Sequence, residues 1–369
     1  MKLAIVIGTR PEIIRLSRTI NLARKYFDVT LIHTGQNYDY ELSEIFFSEL
    51  EIKKPDYYLN CSKNNIGEAI GDIISHSYTY LKSLNPDALL ILGDTNSCLC
   101  AYSAKRLKIP IFHLEAGNRC FDLNVPEEIN RKIIDHISDI NMCYMEQARN
   151  NLLKENIKSQ YLFVIGSPIP EIYFHIKHKV NSSTILETYN LKEKEYFVWS
   201  THREANIDDD ENFSHIVNSI NQLNQLYNKK IVFSVHPRTR KKLQNNNIRL
   251  NDNIILTKPL GLIDYLCLQK KSLCVISDSG TVTEEAKILK FKAILLRTST
   301  EHPEGIDSGT VIIGNINWDI LKKSINLCIN LKIDHNKIIN YEDINFSEKV
   351  CKIILSYYSI INKFIWHKN

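Results

Sequence analysis

The sequence has no long apolar run. Its amino-terminal apolar stretch, Leu3 to Ile7, reaches Gly8 after five residues, too short for a signal-peptide core or a membrane span. It reads as a buried strand, and the expected location is the cytoplasm. Excess charge is also scarce: 46 Lys plus Arg against 42 Asp plus Glu leave +4. That surplus does not indicate a nucleic-acid or membrane-surface partner, so any anion recognition has to be local. The nine cysteines contain no CxxC pair and, apart from Cys98 and Cys100, are scattered. Neither a zinc site nor a disulfide framework is indicated, and a reduced compartment fits. Internal repeats and low-complexity tracts are absent, and an apolar fraction of 44% with 24% charged residues is ordinary for a folded globular chain.

The length of 369 residues is long for one hydrophobic core and favours two domains. Short apolar, β-branched runs alternate with longer amphipathic stretches, the pattern of βα units in parallel sheets. The first series of expected strands is Leu3–Ile7, Val29–His33, Ala88–Leu92, Ile111–Leu114 and Leu162–Ile165. A second series restarts with Tyr196–Thr201, Ile231–Val235, Ile254–Leu256, Leu273–Ser277 and Ala293–Leu296. The turn Gly166-Ser167-Pro168-Ile169-Pro170 marks the first crossing. From Phe346 onward, Val350, Ile353, Ile354, Tyr357, Ile360 and Ile361 recur at helical spacing. The predicted fold class is therefore α/β with two Rossmann-like domains and a cleft between them. Residues 1–167 plus a closing helix at about 346–369 form one domain, and 168–345 form the other.

In open α/β sheets ligands bind beyond the carboxyl ends of the strands, and the residues placed there are strongly polar. Thr9 and Glu12 have capping-box spacing with Pro11 in the first turn, so a helix start presents free amides and Arg10 to an anion. A plain helix cap accounts for all of these but Arg10. Ser279-Gly280-Thr281 follows a strand and opens a helix, a phosphate-sized site with Gly280 permitting close approach. Glu285, one turn further, is placed to take two ribose hydroxyls; the bland alternative is a solvated helix glutamate. Asp94, Glu115 and Glu127 stand after or near strand ends of the first domain, with His202 from the second. Singly each reads as a turn or surface residue, but together they suggest acid/base chemistry. His33, His113, His202 and His236 also lie at or near strand ends, yet no HExxH or CxxC spacing accompanies them, and no metal site is expected. The loop after the first strand lacks GxGxxG, which disfavours a dinucleotide-dependent oxidoreductase.

Seven ordered motifs spanning nearly the whole chain carry a family resemblance. They are Gly8-Thr9-Arg10-Pro11-Glu12, Gly93-Asp94-Thr95, His113-Leu114-Glu115-Ala116-Gly117, Pro126-Glu127-Glu128-Ile129-Asn130-Arg131, Thr201-His202-Arg203, Asp278-Ser279-Gly280 and Pro303-Glu304. With them the sequence resembles the non-hydrolysing UDP-N-acetylglucosamine 2-epimerases, of glycosyltransferase-B-like fold. The resemblance implies a homodimeric enzyme without cofactor or metal that acts on a UDP-activated 2-acetamido sugar. It implies Asp94, Glu115 and Glu127 as acid/base carboxylates and His202 as partner of the leaving diphosphate. Arg10, Ser279, Gly280 and Thr281 are implied as phosphate ligands and Glu285 as the ribose ligand, with Arg131, His236 and His302 as further UDP or substrate contacts. His302 stands where the family commonly has arginine, so its phosphate contact requires a protonated ring. Thr34-Gly35-Gln36-Asn37 departs from the residues that form an allosteric nucleotide-sugar site in some members, and that regulation is not expected here.

Within the family the resemblance is closest to enzymes converting UDP-2-acetamido-2,6-dideoxy-L-talose to UDP-N-acetyl-L-fucosamine for surface polysaccharide such as capsule or O-antigen. His33 to Glu41, Gly93 to Cys98 and Gly117 to Asp122 carry it. The stretch from Gly117 to Val125 is shorter than the corresponding loop of enzymes acting on UDP-N-acetylglucosamine and lacks its Ser-Pro-aromatic step. The alternatives are conversion of UDP-N-acetylglucosamine to UDP-N-acetylmannosamine, a UDP-sugar glycosyltransferase, and a non-catalytic nucleotide-sugar sensor. The Pro126-Glu127-Glu128 loop and the carboxylate set speak against the last two.

Overall fold

The computed structural model describes residues 1–35, 44–62, 64–235, 237–246, 248–332 and 338–368. Two compact units divide the chain, Met1–Phe174 with Glu342–Asn369 and His175–Tyr341. The first crossing falls inside the helix Ile169–Asn181, a few residues beyond the Gly166–Pro170 turn.

The first unit holds β1 (Lys2–Ile7), β2 (Asp28–His33), β3 (Tyr57–Tyr58), β4 (Ala88–Leu92), β5 (Ile111–Leu114), β6 (Ile140–Cys143) and β7 (Leu162–Val164). They form one sheet in the order β3-β2-β1-β4-β5-β6-β7, with every pairing parallel. Helices on both faces of such a sheet bury its strands on both sides, so they read as unbroken apolar runs. Leu3 to Ile7 and Ala88 to Leu92 follow this pattern, every residue buried.

The second unit repeats the plan with β8 (Tyr196–Ser200), β9 (Lys230–Ser234), β10 (Ile254–Thr257), β11 (Cys274–Ser277), β12 (Ala293–Leu295) and β13 (Val311–Ile313). Their order is β10-β9-β8-β11-β12-β13, again wholly parallel. Trp199, Phe197 and Phe233 from the strands pack with Ile216, Ile220 and Leu223 of the helix Asp210–Tyr227. Full burial of such a side chain is worth roughly 1.5–3 kcal/mol.

In each sheet the first strand lies between the second and the one that follows the reversal, so the loops leaving these neighbours diverge and open a crevice. In the first unit the diverging loops are Gly8–Thr9 after β1 and Gly93–Thr95 after β4; in the second they are Thr201–Arg203 after β8 and Asp278–Thr281 after β11. The fold thus places the polar motifs at both switch points.

The ten expected strands are present with ends shifted by one residue at most sites: Ile165, Thr201, Val235, Leu273 and Leu296 lie just outside. Three strands escaped the sequence reading. β3 has two residues and β13 three, and β6 carries Asn141 in its middle, which breaks the apolar run. The closing helix spans Phe346–Phe364 and buries Val350, Ile354 and Ile361, whereas Ile360 faces outward. It belongs to the first unit, where Ser347 donates from N and Oγ to Glu171 Oε2 at 2.8 and 2.9 Å. Among the described residues no helix is long and apolar enough to cross a membrane.

Candidate active site

In the first unit β4 and β5 run side by side in register, Ile91 beside His113 and Leu92 beside Leu114. Asp94 and Glu115 therefore leave the sheet as neighbours. Their turns are sharply bent: Gly93 has φ 77°, Glu115 φ 63° and Gly117 φ 82°. The left-handed region costs a residue with a Cβ about 1–2 kcal/mol, and such strain persists at functional sites where the surroundings enforce it. The enforcement at Glu115 is visible. Arg15, buried on the helix Arg10–Tyr26, forms an ion pair with Glu115 Oε2, and Asn118 Nδ2 donates to Oε1 at 3.4 Å.

Arg131 reaches Asp94 Oδ2 with Nε at 2.7 Å and Nη2 at 2.6 Å, and its Nη1 lies 3.0 Å from Glu128 Oε2. Glu128 in turn accepts the backbone N–H groups of Cys120 and Phe121 at 3.1 and 3.2 Å. Although burial works against its charge, these amides and Arg131 hold the Glu128 carboxyl below its ordinary range. The chain Asp94–Arg131–Glu128 thereby pins the loop after Gly117, leaving Phe121 with its ring outside at φ 57°. Glu127, in the first turn of the helix Pro126–Ile137, is exposed.

Glu12 does more than cap its helix. Its Oε2 takes Gly8 N at 2.9 Å, Thr9 N at 2.7 Å and Thr9 Oγ1 at 2.9 Å, while Oε1 takes Thr95 Oγ1 at 3.1 Å and Ser97 Oγ. Full burial raises its pKa, opposed by these donors. The side chain ties the loop after β1 to the loop that carries Asp94. Arg10, at the first helical position, lies with its guanidinium 5.9 Å from the Phe46 ring centroid. Behind the carboxylates, His113 is buried with Nε2 2.8 Å from Gly93 O and Nδ1 3.0 Å from Asp135 Oδ1. Asp135 also receives Arg119 Nη1 at 2.7 Å and Gly117 N at 3.3 and 3.2 Å. Burial pulls the His113 pKa down, but Asp135 and the Gly93 carbonyl outweigh it and raise the value.

In the second unit Asp278 organises the switch point. It is buried and accepts His202 N at 3.2 and 3.1 Å, Arg203 N at 2.9 Å and Asn206 Nδ2 at 3.0 Å, with His202 Nδ1 at 3.1 Å. Burial would raise its pKa, yet His202 and the amides hold it down at about 2. The carboxylate therefore fixes a proton on His202 Nδ1 and leaves Nε2 on the half-exposed side of the ring.

Thr281 precedes the helix Val282–Leu289 without a side-chain capping bond, and its Oγ1 lies 3.1 Å from Ser279 Oγ. A Cβ on Gly280 would stand 2.5 Å from Glu301 Oε1 and 3.1 Å from Arg297 Nη2, so a side chain here would have to displace the ends of both. Arg297 donates from Nε to Asp278 O and from Nη1 to Glu301 Oε2, both at 2.7 Å. Glu285 is buried, with Oε2 accepting Gln269 Nε2 at 2.8 Å; it is not the solvated glutamate of the bland alternative. His302 is buried too, Nδ1 3.0 Å from Glu304 Oε1, which also accepts Tyr341 Oη at 2.6 Å. Burial lowers its pKa, but Glu304 with Glu284 and Glu301 lifts it to about 9. The ring is thus charged, and Nδ1 is committed to Glu304.

The structure brings Asp94, Glu115 and Arg131 together in the first unit, and groups His202 with the Asp278–Thr281 turn in the second. His236 and the Gln36–Glu41 stretch lie outside the described residues. Sequence reasoning overlooked Arg15, Asp135, Arg297 and Glu301, and gave Arg119 no role beyond its place after a strand. Buried charged residues on helices carry no local mark, although Arg297, two residues after β12, met the strand-end criterion. His33 is buried and accepts Gly35 N at 2.9 Å on Nδ1, and burial pulls its pKa down to about 4. Among the described residues no three His, Cys, Asp or Glu side chains are grouped to hold a metal ion.

The sequence pattern of the UDP-N-acetylglucosamine 2-epimerase family matches residues 21–355. The UDP-N-acetylglucosamine 2-epimerase of Methanocaldococcus jannaschii is 38% identical over 341 residues, covering 90% of this chain and 93% of that protein. Its crystal structure with UDP-GlcNAc and UDP superposes with a TM-score of 0.90 at 36% identity, over 96% of this chain and 100% of that one. The structure of the Rickettsia bellii UDP-N-acetylglucosamine 2-epimerase gives a TM-score of 0.90 at 41% identity with full coverage of both chains, 100% and 100%. The UDP-2,3-diacetamido-2,3-dideoxy-D-glucuronate 2-epimerase of Pseudomonas aeruginosa is 31% identical over 331 residues, 88% of this chain and 91% of that protein.

Proposed function

The chain belongs to the UDP-N-acetylglucosamine 2-epimerase family and is an epimerase; from that premise we propose that it inverts C2 of a UDP-2-acetamido sugar by eliminating and re-adding UDP. The C2 hydrogen is not activated by an adjacent carbonyl, so a base alone would generate an unstabilised carbanion. Cleavage of the C1–O bond to UDP gives C1 oxocarbenium character and acidifies C2–H. Loss of that proton yields a 2-acetamidoglycal and UDP. Protonation of the opposite face of C2 and return of UDP to C1 complete the inversion. Two faces require at least two acid/base groups.

The observation that carries this reading is the pairing of Asp94 and Glu115 at adjacent strand ends, each held by a buried arginine. Asp94, Glu115 and Glu127 serve as the acid/base set. His202 Nε2, its ring oriented by Asp278, meets the departing diphosphate, and positive groups there stabilise the developing charge. Arg10, Ser279, Gly280 and Thr281 hold phosphate, Glu285 the ribose, and Arg131 acts by fixing Asp94. His302, with its charge on Glu304, supports the helix start beside the phosphate turn. The assembly proposed is a homodimer without cofactor.

The substrate proposed is UDP-2-acetamido-2,6-dideoxy-L-talose, giving UDP-N-acetyl-L-fucosamine for surface polysaccharide. Its support is the short loop from Gly117 to Val125, which displays Phe121 where the Ser-Pro-aromatic step is missing. UDP-N-acetylglucosamine is the second reading, favoured by the names of the relatives. Incubation with each UDP-sugar alone, followed by NMR, tests both levels. Conversion without acceptor is expected, with the 6-deoxy L-sugar preferred in kcat/KM. Comparable values for both would remove the substrate assignment, and a requirement for an acceptor would remove the epimerase reading.

A further inference from the structure

We propose that His113 is a positioning residue for this chemistry: as an imidazolium it donates to the Gly93 carbonyl and forms an ion pair with Asp135, and so fixes the two turns that carry Asp94 and Glu115. The proposal rests on the reading of those two side chains as acid/base groups.

The argument begins with what faces the ring. Nε2 lies 2.8 Å from a backbone carbonyl and Nδ1 3.0 Å from a carboxylate oxygen. Both neighbours only accept, whereas a neutral imidazole has a single N–H. A neutral ring would set a bare nitrogen lone pair against an oxygen lone pair in a site without water access, since His113 and Asp135 are both buried. An imidazolium donates to the carbonyl and turns the Nδ1 approach to Asp135 into an ion pair, although that nitrogen is not aligned for a hydrogen bond. Asn141, beside His113 in the β5–β6 register, has its Nδ2 committed to Asp135 O at 2.9 Å and offers the ring no compensating donor from that group.

The contacts end at the turns that matter. The Gly93 carbonyl immediately precedes Asp94, in a turn with φ 77°. Asp135 passes the constraint to the other side, accepting Gly117 N two residues after Glu115, itself at φ 63°. It also anchors Arg119, whose Nη2 is paired with Glu155 at 2.7 Å. One buried cation and one buried anion thus join both carboxylate turns without touching either carboxylate. Their loss displaces the acid/base groups by fractions of an ångström, and displacements approaching 1 Å can cost about a hundredfold in rate.

The test uses the full-length enzyme with ¹⁵N-labelled histidine and the variants His113→Gln and Asp135→Asn. In wild type at neutral pH the His113 ring is expected to show protons on both nitrogens, and in Asp135→Asn on Nε2 alone. Turnover per folded enzyme, measured well below the melting transitions, is expected to fall about 10- to 100-fold in both variants. UDP affinity by calorimetry should stay within about threefold of wild type, because the phosphate and ribose groups are elsewhere. A purely structural role would lower the melting temperature and leave the turnover of the folded fraction unchanged. The proposal is overturned by a singly protonated wild-type ring, by His113→Gln turnover within about twofold of wild type, or by parallel losses of UDP affinity and kcat. If His113→Gln does not fold, the wild-type spectrum and Asp135→Asn decide. Wild-type enzyme that exchanges no C2 proton would remove the acid/base reading, and the positioning role with it, whatever the ring spectrum shows.

Discussion

Replacing Asp278 by asparagine keeps the shape of the side chain and removes its charge. In the wild type the carboxyl is held at about 2 against an ordinary 3.8. At about 1.4 kcal/mol per unit, its ionised form contributes about 2 kcal/mol to the second unit. The amide retains one acceptor oxygen and turns an NH₂ toward the N–H groups of His202, Arg203 and Asn206. At least one of these part-buried donors loses its partner, which costs up to about 1–3 kcal/mol more. The expected loss at neutral pH is therefore about 3–5 kcal/mol. Because the folded-state pKa is depressed, the Asp278 contribution is complete above the ordinary value and disappears as pH falls from about 4 to about 2. The difference between wild type and Asp278→Asn should then be constant around neutrality and shrink through that acid window. Urea unfolding followed by fluorescence reads it, since Trp199 and Trp318 both belong to the second unit. Equal stability at neutral pH, or a difference that grows with acid, would refute the electrostatic account of this turn.

Two further outcomes are expected. Gly117→Ala combines φ 82° with a Cβ 2.3 Å from Ala148 O, a backbone atom that cannot step aside; urea titration should show a loss of about 2–3 kcal/mol, and wild-type stability would contradict the packing described. His302 gains its proton affinity from Glu304, so its contribution is full below the ordinary 6.5 and is lost as pH rises through about 9. Glu304→Gln should therefore destabilise the second unit near pH 6 to 7, with the gap to wild type closing on the alkaline side; a gap independent of pH would show that His302 is not charged.

How much of this was legible in the sequence depended on range. β4 and β5 were bounded to the residue because Ala88–Leu92 and Ile111–Leu114 are uninterrupted apolar runs ending in polar turns. β6 was not, because Asn141 serves the Asp135 carbonyl from the middle of a buried strand. Thr9 and Glu12 disclosed their capping box, a contact three residues long. The same carboxylate's bonds to Thr95 and Ser97, 83 and 85 residues away, left no local trace. Asp94 and Glu115 could be named from their places after strands, whereas Arg131 was named only through the family resemblance, as a substrate contact, and Arg15 not at all. Arg15 and Arg131 occupy helical positions whose spacing fits a solvated face, and only the packing of helix against sheet buries them. For His302 the sequence posed the right question, whether the ring is charged. The answer required Glu304 and Tyr341 to be seen closing over it.

The central claim is that C2 is inverted through loss and return of its proton while UDP departs and re-adds. Turnover in D₂O tests it most directly: the account predicts product carrying deuterium at C2, with traces of free UDP and 2-acetamidoglycal. Replacing Asp94 by Asn, or Glu115 or Glu127 by Gln, should cut that exchange by at least about a hundredfold. Epimerised product with no solvent deuterium at C2 would contradict it.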